Sequence, residues 1–406
     1  MKSALMLLPL AILASCSLSR PSKKAVSFND YMKRESTGLT NQKVHSKDDL
    51  LTFSVKAKVL PKVQLIPQNM NGYYYASIDM GASAPLECFF YSSELSPAST
   101  LKIMTEKALA DQKVAENVVE KEIALFGAGN IGPIPYLVLN TNFLTKDKKA
   151  GHFKSMIAIK DTTTLFCIHN EVGYLKTFVE RFAEVAVSYD FTSMPKLNPL
   201  FNDVTILTVQ DIPVGFVVNY LVDKTINSKL WIQKASLMIP QSKINISAHD
   251  MSDVEVSSLE GTLVYGKYKA ESNGKLDYLI DLSTEEEIKY FIKGIFHGKE
   301  ISQTLKTNGL ISNYGHTKLV TQNLFQNHIQ QFSIMTYTPS TDPHKAMSLK
   351  TSLKKLHPDG ASVTMASGND SKDIEVDLDG TIKEISTLLG PVTMKGKRAF
   401  KFGAVK

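Results

Sequence analysis

The chain has 406 residues, 43% of them hydrophobic and 21% charged, a composition that marks a globular protein and excludes a disordered or low-complexity one. Its formal net charge is +6, yet only Arg20, Arg34, Arg181 and Arg398 among its 46 basic residues are arginine. Paired readout of phosphate or guanine depends on Arg forks, so nucleic-acid binding is not expected.

Met1, Lys2 and Ser3 supply a short positive start, and residues 4–13 are apolar and uncharged. A membrane-spanning helix needs about 20 apolar residues, so this run is too short to cross, but it fits the about 7–15-residue apolar region of a secretory leader. It ends in Leu13-Ala14-Ser15-Cys16. That segment resembles the lipobox of bacterial lipoprotein precursors, over residues 1–16 only. The resemblance implies that residues 1–15 are a signal peptide and that the Cys16 thiol accepts a diacylglyceryl group. Several acyl chains at one terminus then hold the mature protein firmly to a bilayer. Ser17, where Asp would favour the inner membrane, points the expected location toward the outer membrane. No later stretch reaches spanning length, so the body is expected outside the cytoplasm, in the cell envelope.

Residues 16–45 are polar and aperiodic, as in a tether. Residues 20–62 carry ten basic and four acidic side chains, so the positive charge lies beside the lipid. There it either attracts anionic head groups or serves as a solvated linker.

Residues 46–193 read as a first domain. Strands are expected at 51–59, 73–79 and 87–91, rich in β-branched and aromatic residues. Ser96 and Pro97, cap and first-turn proline, open a helix that runs into the 110s. Strands at 136–144, 152–160 and 164–169 form an antiparallel meander, and 174–188 is an amphipathic helix with Leu175, Phe178, Phe182, Val185 and Ala186 on one face. Pro195 and Pro199 mark a boundary. Residues 200–406 read as a second domain, with strands at 204–209, 214–222, 261–269 and 276–282. Ser283-Thr284 with Glu285, Glu286 and Glu287 predicts a helix over 283–296, and another is expected over 342–356, stopped by His357-Pro358-Asp359-Gly360. The expected fold is therefore α+β, two domains that each pack a mainly antiparallel sheet with helices. Strand, turn, strand and helix follow one another at both 152–188 and 261–296, an order that would fit a duplication without a residue-level repeat.

With Cys16 spent on lipid, Cys88 and Cys167 remain, each in an apolar strand-like segment. In an oxidising compartment they form either a disulfide or two separately buried thiols. Neither has the CxxC spacing of a redox or zinc site.

Four strings carry possible chemistry. Pro97-Ala98-Ser99-Thr100-Leu101-Lys102 places Ser99 and Lys102 one helical turn apart, as a hydroxyl nucleophile and its activating amine require. It resembles the nucleophile motif of penicillin-binding proteins and serine β-lactamases, which implies Ser99 as nucleophile and Lys102 as activator in a reaction on peptidoglycan. The family's later elements are missing: the downstream Ser-x-Asn is Ser367-Gly368-Asn369, and no Lys-Ser-Gly or Lys-Thr-Gly occurs. The competing reading makes Ser96 a helix cap and Lys102 a solvated side chain. Gly127-Ala128-Gly129-Asn130-Ile131-Gly132 matches G-x-G-x-x-G, but Pro133 and Pro135 follow and lead into a strand, so no nicotinamide cofactor is expected. Val376-Asp377-Leu378-Asp379-Gly380-Thr381 resembles the first motif of the haloacid dehalogenase phosphatases without that family's later residues. As a calcium loop it would put Ser386 where a bidentate Glu belongs. Alternation through Ile374, Val376 and Leu378 into Asp379-Gly380 predicts a β-hairpin instead. Tyr73-Tyr74-Tyr75 would set at most two rings on one face of a strand. Histidines such as His169 and His249 lack metal-site spacing, so no metal or cofactor is implied. The expected function is a membrane-tethered envelope lipoprotein with a non-catalytic binding or scaffolding role. Its partners are the bilayer through Cys16 and an envelope protein or cell-wall polymer. The alternative is the serine acyl-enzyme.

Overall fold

A computed structural model describes residues 33–405 apart from 68–71, 94, 112–117, 147–149, 195, 287, 369 and 390–391; Cys16 and the leader lie outside the described residues. Strands make up 62% of the described residues and helix 11%, which corrects the expected α+β class to a mainly β one. Among the described residues no helix is long and apolar enough to cross a membrane.

The first half runs β1 (Thr40–His45), β2 (Leu51–Ala57), β3 (Lys62–Ile66), β4 (Tyr73–Ile78), β5 (Leu86–Tyr91), helix α1 (Pro97–Asp111), β6 (Val118–Ile131), β7 (Ile134–Thr145), β8 (Ala150–Lys160), β9 (Thr163–His169), helix α2 (Leu175–Ser188) and β10 (Asp190–Phe191). These strands make a three-stranded sheet, β1-β2-β10, and a seven-stranded sheet, β3-β4-β5-β9-β8-β7-β6. Phe178, Phe182, Val185 and Ala186 of α2 fill the space between the two sheets, against Leu51, Phe53 and Val55 on one side and Ala158 and Leu165 on the other. The opposite face of the seven-stranded sheet, with Leu137, Ile157 and Phe166, packs on α1 and the second half. Burial on both faces explains why β9 is an unbroken run of buried residues. α2 has no side-chain cap at its own Tyr174. Instead Glu35 accepts hydrogen bonds from Lys176 N (3.0 Å), Thr177 N (2.7 Å) and the Thr177 hydroxyl (2.5 Å). The end of the stretch read as tether is thus fastened to the first half.

The second half runs β11 (Phe201–Val209), β12 (Ile212–Thr225), β13 (Ser228–Pro240), β14 (Ile246–Ser258), β15 (Leu263–Ser272), β16 (Lys275–Glu286), β17 (Lys289–Phe296), β18 (Lys299–Lys306), helix α3 (Asn313–Val320) with a π-helical turn (Thr321–Gln326), then β19 (Gln331–Tyr337), β20 (Ala346–His357), β21 (Gly360–Ser367), β22 (Asp370–Asp377), β23 (Ile382–Leu389) and β24 (Val392–Gly403). All fourteen strands belong to one sheet, ordered β18 back to β11, then β24 back to β19. The chain meanders outward to β18, crosses through α3, and meanders inward until β24 pairs with β11. The sheet wraps α3 from both sides. Val320 and Leu324 meet Ala361, Val363, Ile374 and Val376, while Tyr314 joins Phe201, Leu221 and Trp231. Two glycines with positive φ make that contact possible: Gly261 (φ +96) lies on Gly315, and Gly380 (φ +77) on the Thr317 carbonyl, each where a Cβ would strike backbone.

Both helices expected in this half are strands. Residues 283–296 form the β16–β17 hairpin, where buried Tyr290 and Ile292 alternate with more exposed neighbours, so a period of two overrides the cap-like Ser-Thr-Glu start. Residues 342–356 fall largely in β20, whose backbone is paired on both sides by β19 and β21. Leu349 and Leu353 are four apart, a spacing that suits either period, and the neighbouring strands decide it. Without a helix at 283–296, the resemblance between 152–188 and 261–296 has no structural counterpart.

Two tempting strings have architectural jobs. Gly127 and Gly129 lie in β6, and Gly132 (φ +58) turns the chain into β7. Asp377-Leu378-Asp379-Gly380-Thr381 is the β22–β23 turn, closed by Asp377 N to Thr381 O at 2.9 Å. Arg398 pairs with Asp377, and the Lys401 ammonium reaches Asp377 and Asp379 at 2.8 Å each, locking the turn to β24.

Candidate functional site

α1 begins at Pro97 and lies between β7–β8 of the first half and β13–β14 of the second. The first N–H groups of a helix have no partner within it and carry partial positive charge. Here Ala98 N and Ser99 N donate to the two oxygens of Asp250 on β14, at 2.9 and 2.8 Å, and the Ser236 hydroxyl adds a third bond at 2.8 Å. The cap therefore comes from the other half of the molecule and not from Ser96, whose hydroxyl donates to Glu271. Burial raises the Asp250 pKa, and the backbone hydrogen bonds from Ser99 and Ala98 pull it back down.

The predicted nucleophile and activator are placed here, but they do not face one another. Ser99 is 2% exposed, and its hydroxyl accepts the Gly274 N–H at 3.0 Å. Lys102 donates to Asn273 Oδ1 at 2.8 Å. Both side chains clasp the β15–β16 turn, where Asn273 and Gly274 take positive φ. Asp250, not Lys102, is the ionisable group bonded to Ser99, through the Ser99 backbone N–H. General-base activation needs the base within hydrogen-bond reach of the hydroxyl, and the Lys102 amine is committed elsewhere.

Beside this joint is a cleft of about 220 Å3 whose lining includes Ser96, Lys234, Ser236, Asp250, Lys269 and Glu271. Its ions are matched internally. Lys234, 4% exposed, donates to the Asp161 carbonyl at 2.9 Å and lies 5.7 Å from the Tyr220 ring centre. Lys269 and Glu271 pair at 2.7 Å.

Cys88 and Cys167 are joined by a disulfide across directly paired positions of β5 and β9, facing the core under α2. Nearby, Lys154 is fully buried and its ammonium donates to the Glu171 carbonyl. Burial brings the Lys154 pKa down to about 8, that of His152 to about 4 and that of His169 to about 3, with the Lys154 charge adding to both histidine shifts. The sequence reading noticed His169 but missed Lys154 and Lys234. The available signal was a lysine inside an apolar strand run, as at Phe153-Lys154 in β8, which is buried on both faces. Among the described residues no group of three or more His, Cys, Asp or Glu is arranged to hold a metal.

No protein-family model and no curated protein matches the sequence. Among solved structures, a β-barrel-like protein of the domain of unknown function DUF1849 from Brucella abortus is similar to it, with a TM-score of 0.41 and 13% identity over 50% of this chain and 96% of that one.

Proposed function

We propose that the chain is a lipid-tethered envelope protein, at the outer membrane, that acts by binding or scaffolding without chemistry of its own. The engagement of Ser99 carries the non-catalytic part. A nucleophile must present its oxygen to substrate and lie within reach of a base, whereas this hydroxyl is buried and takes the Gly274 N–H, with Lys102 turned to Asn273. The tether rests on Leu13-Ala14-Ser15-Cys16, and the implied partners are the bilayer through the Cys16 acyl chains and an envelope protein or cell-wall polymer. The serine acyl-enzyme is the reading this geometry disfavours.

A fluorescent penicillin offered to the full chain should leave no covalent band. A band that disappears in Ser99→Ala would overturn the non-catalytic reading. Metabolic labelling with a clickable palmitate should mark the wild type and fail on Cys16→Ser; equal labelling of both would remove the tether.

A further inference from the structure

The connection from β2 to β3 reads Lys58-Val59-Leu60-Pro61-Lys62. Surface turns are normally polar, because water then satisfies their groups and no apolar area is left bare. Here two adjacent aliphatic side chains stand at the tip: Val59 and Leu60 are each 59% exposed, with Pro61 buried behind them. Ile226, at 91% the most exposed large apolar residue among those described, stands instead between the polar Thr225 and Asn227. Lys58 and Lys62 flank the Val59-Leu60 tip, both exposed and without an acidic partner among the described residues.

The turn sits at the corner where the N-terminal segment joins the body. β2 runs beside α2 in the opposite direction, with Ser54 N on Ser188 Oγ (2.9 Å) and Lys56 N on Glu184 Oε2 (2.8 Å), so the chain beyond Ala57 arrives at the first turns of α2. Lys58 N donates to the Asp79 carbonyl at 2.8 Å, and the Lys58 side chain lies against Gly38 and Gly81. Ser36 ties the same place together: its N–H donates to Thr177 Oγ1 at 3.0 Å and its hydroxyl to the Met80 carbonyl. The carboxylates around the corner are already engaged. Glu35 accepts from the start of α2, Asp79 from Gly81 N (2.8 Å), Glu171 from Ser83 N and Ala84 N (2.7 and 2.9 Å), and Glu180 pairs with Arg181. From Lys33 at this corner back to Cys16 there are 17 residues, which reach at most about 60 Å.

We infer that the 58–62 turn is the surface by which the body rests on an anionic phospholipid bilayer, Val59 and Leu60 entering at the head-group boundary and Lys58 and Lys62 meeting the phosphates. The inference rests on the lipid-tether reading and adds to it which side of the body faces the membrane. The acyl chains hold the protein near the bilayer, and the corner through which they are attached is the part of the body nearest to it along the chain. Short aliphatic side chains beside lysines are what an interfacial contact with anionic lipid requires. A stable protein interface buries about 800 Å2 on each partner, far more than two side chains at a turn supply.

The test uses the full chain with one added cysteine, Leu60→Cys or Ile226→Cys, carrying the environment-sensitive dye NBD; Cys88 and Cys167 are bonded to each other and do not take the label. In vesicles of phosphatidylglycerol and phosphatidylcholine, the dye at 60 should shift to the blue and be quenched by lipid with a nitroxide in its acyl chain, while the dye at 226 stays in water. Unlabelled Cys16→Ser chain, which has no tether, should sediment with the same vesicles. In that background Val59→Ser with Leu60→Ser, and Lys58→Ser with Lys62→Ser, should each weaken binding about tenfold, whereas Val59→Ile with Leu60→Ile keeps it within twofold. All of these positions are exposed, so melting should stay at the wild-type temperature and a loss of binding is not a loss of fold. A dye at 60 that remains in water on the vesicle, equal quenching at 226, binding unchanged in the serine variants or equal on phosphatidylcholine alone, or a dimer that buries position 60 without vesicles would each overturn the assignment. The mass of the Cys16 peptide reports the tether separately: an unacylated peptide beside vesicle binding through the turn would remove the tether and keep this surface.

Discussion

The seven-stranded sheet is covered on both faces, by α2 with the small sheet on one side and by α1 with β11–β14 on the other, whereas the fourteen-stranded sheet shares that second core only through β11–β14 and elsewhere covers itself by wrapping α3. In the first half the amphipathic helix α2 brings apolar area, and a disulfide ties strands that are 79 residues apart in sequence. In the second half nearly all pairing is between consecutive strands, and long-range closure depends on a few contacts: β11 with β24, Gly261 on Gly315, and the Asp377–Thr381 turn held by Arg398 and Lys401. The contrast shows two ways of burying a β-sheet, one by layering and one by curvature, and it locates where each is vulnerable.

If the halves are separately stabilised, changes in one should leave the other largely alone. The largest effect is expected from Cys88→Ala with Cys167→Ala. Opening a loop of that length releases unfolded-state entropy worth about 4 kcal/mol, so hydrogen exchange should quicken through β4–β9 while β12–β17 stay protected. Equal loss in both would show one cooperative unit and break the comparison. Next, Gly261→Ala places a Cβ against the Gly315 backbone at φ +96, for a loss of about 3 kcal/mol confined to the second half; thermal melting and exchange over β14–β24 would register it. Unchanged melting would mean that α3 can move away from β15 at little cost.

Acid should separate the halves in sign, with smaller amplitude. Burial holds His152 and His169 at about 4 and about 3, below their ordinary value of 6.5, so the unfolded chain binds the extra protons first and the first half loses stability as pH falls below about 6.5. In the second half burial raises Asp203 to about 6 and Asp253 to about 7, above the ordinary 3.8. There the folded state binds protons first, so these two groups raise stability as pH falls from about 7 toward 4, against a smaller opposite contribution from His316, which burial holds at about 4. Exchange corrected for intrinsic rate, compared at pH 7.5 and pH 5, should show β8–β9 losing protection and β11–β14 gaining it. A shift of the same sign in both halves would count against these burial assignments.

Much of the strand pattern was legible. Enrichment in β-branched and aromatic residues marked β2, β4 and β5, the apolar stripe marked α2, and the alternation into Asp379-Gly380 marked a hairpin, because each depends on residues close in sequence. The site was far less so. Ser99 and Lys102 were noticed for their spacing, but their partners Asp250, Asn273 and Gly274 come from the other half of the chain.

By itself the sequence carried the resemblance of residues 1–16 to a lipoprotein leader, the apolar stripe of α2 and the strand-rich runs of the first half, all set by neighbours within a few residues. Tertiary structure decided the rest: that residues 283–296 and 342–356 are strands, that α1 is capped from across the molecule, and which lysines are buried. The reason is that a backbone N–H or an ambiguous apolar spacing is satisfied by whichever partner lies beside it, and in an antiparallel sheet that partner belongs to a different part of the chain.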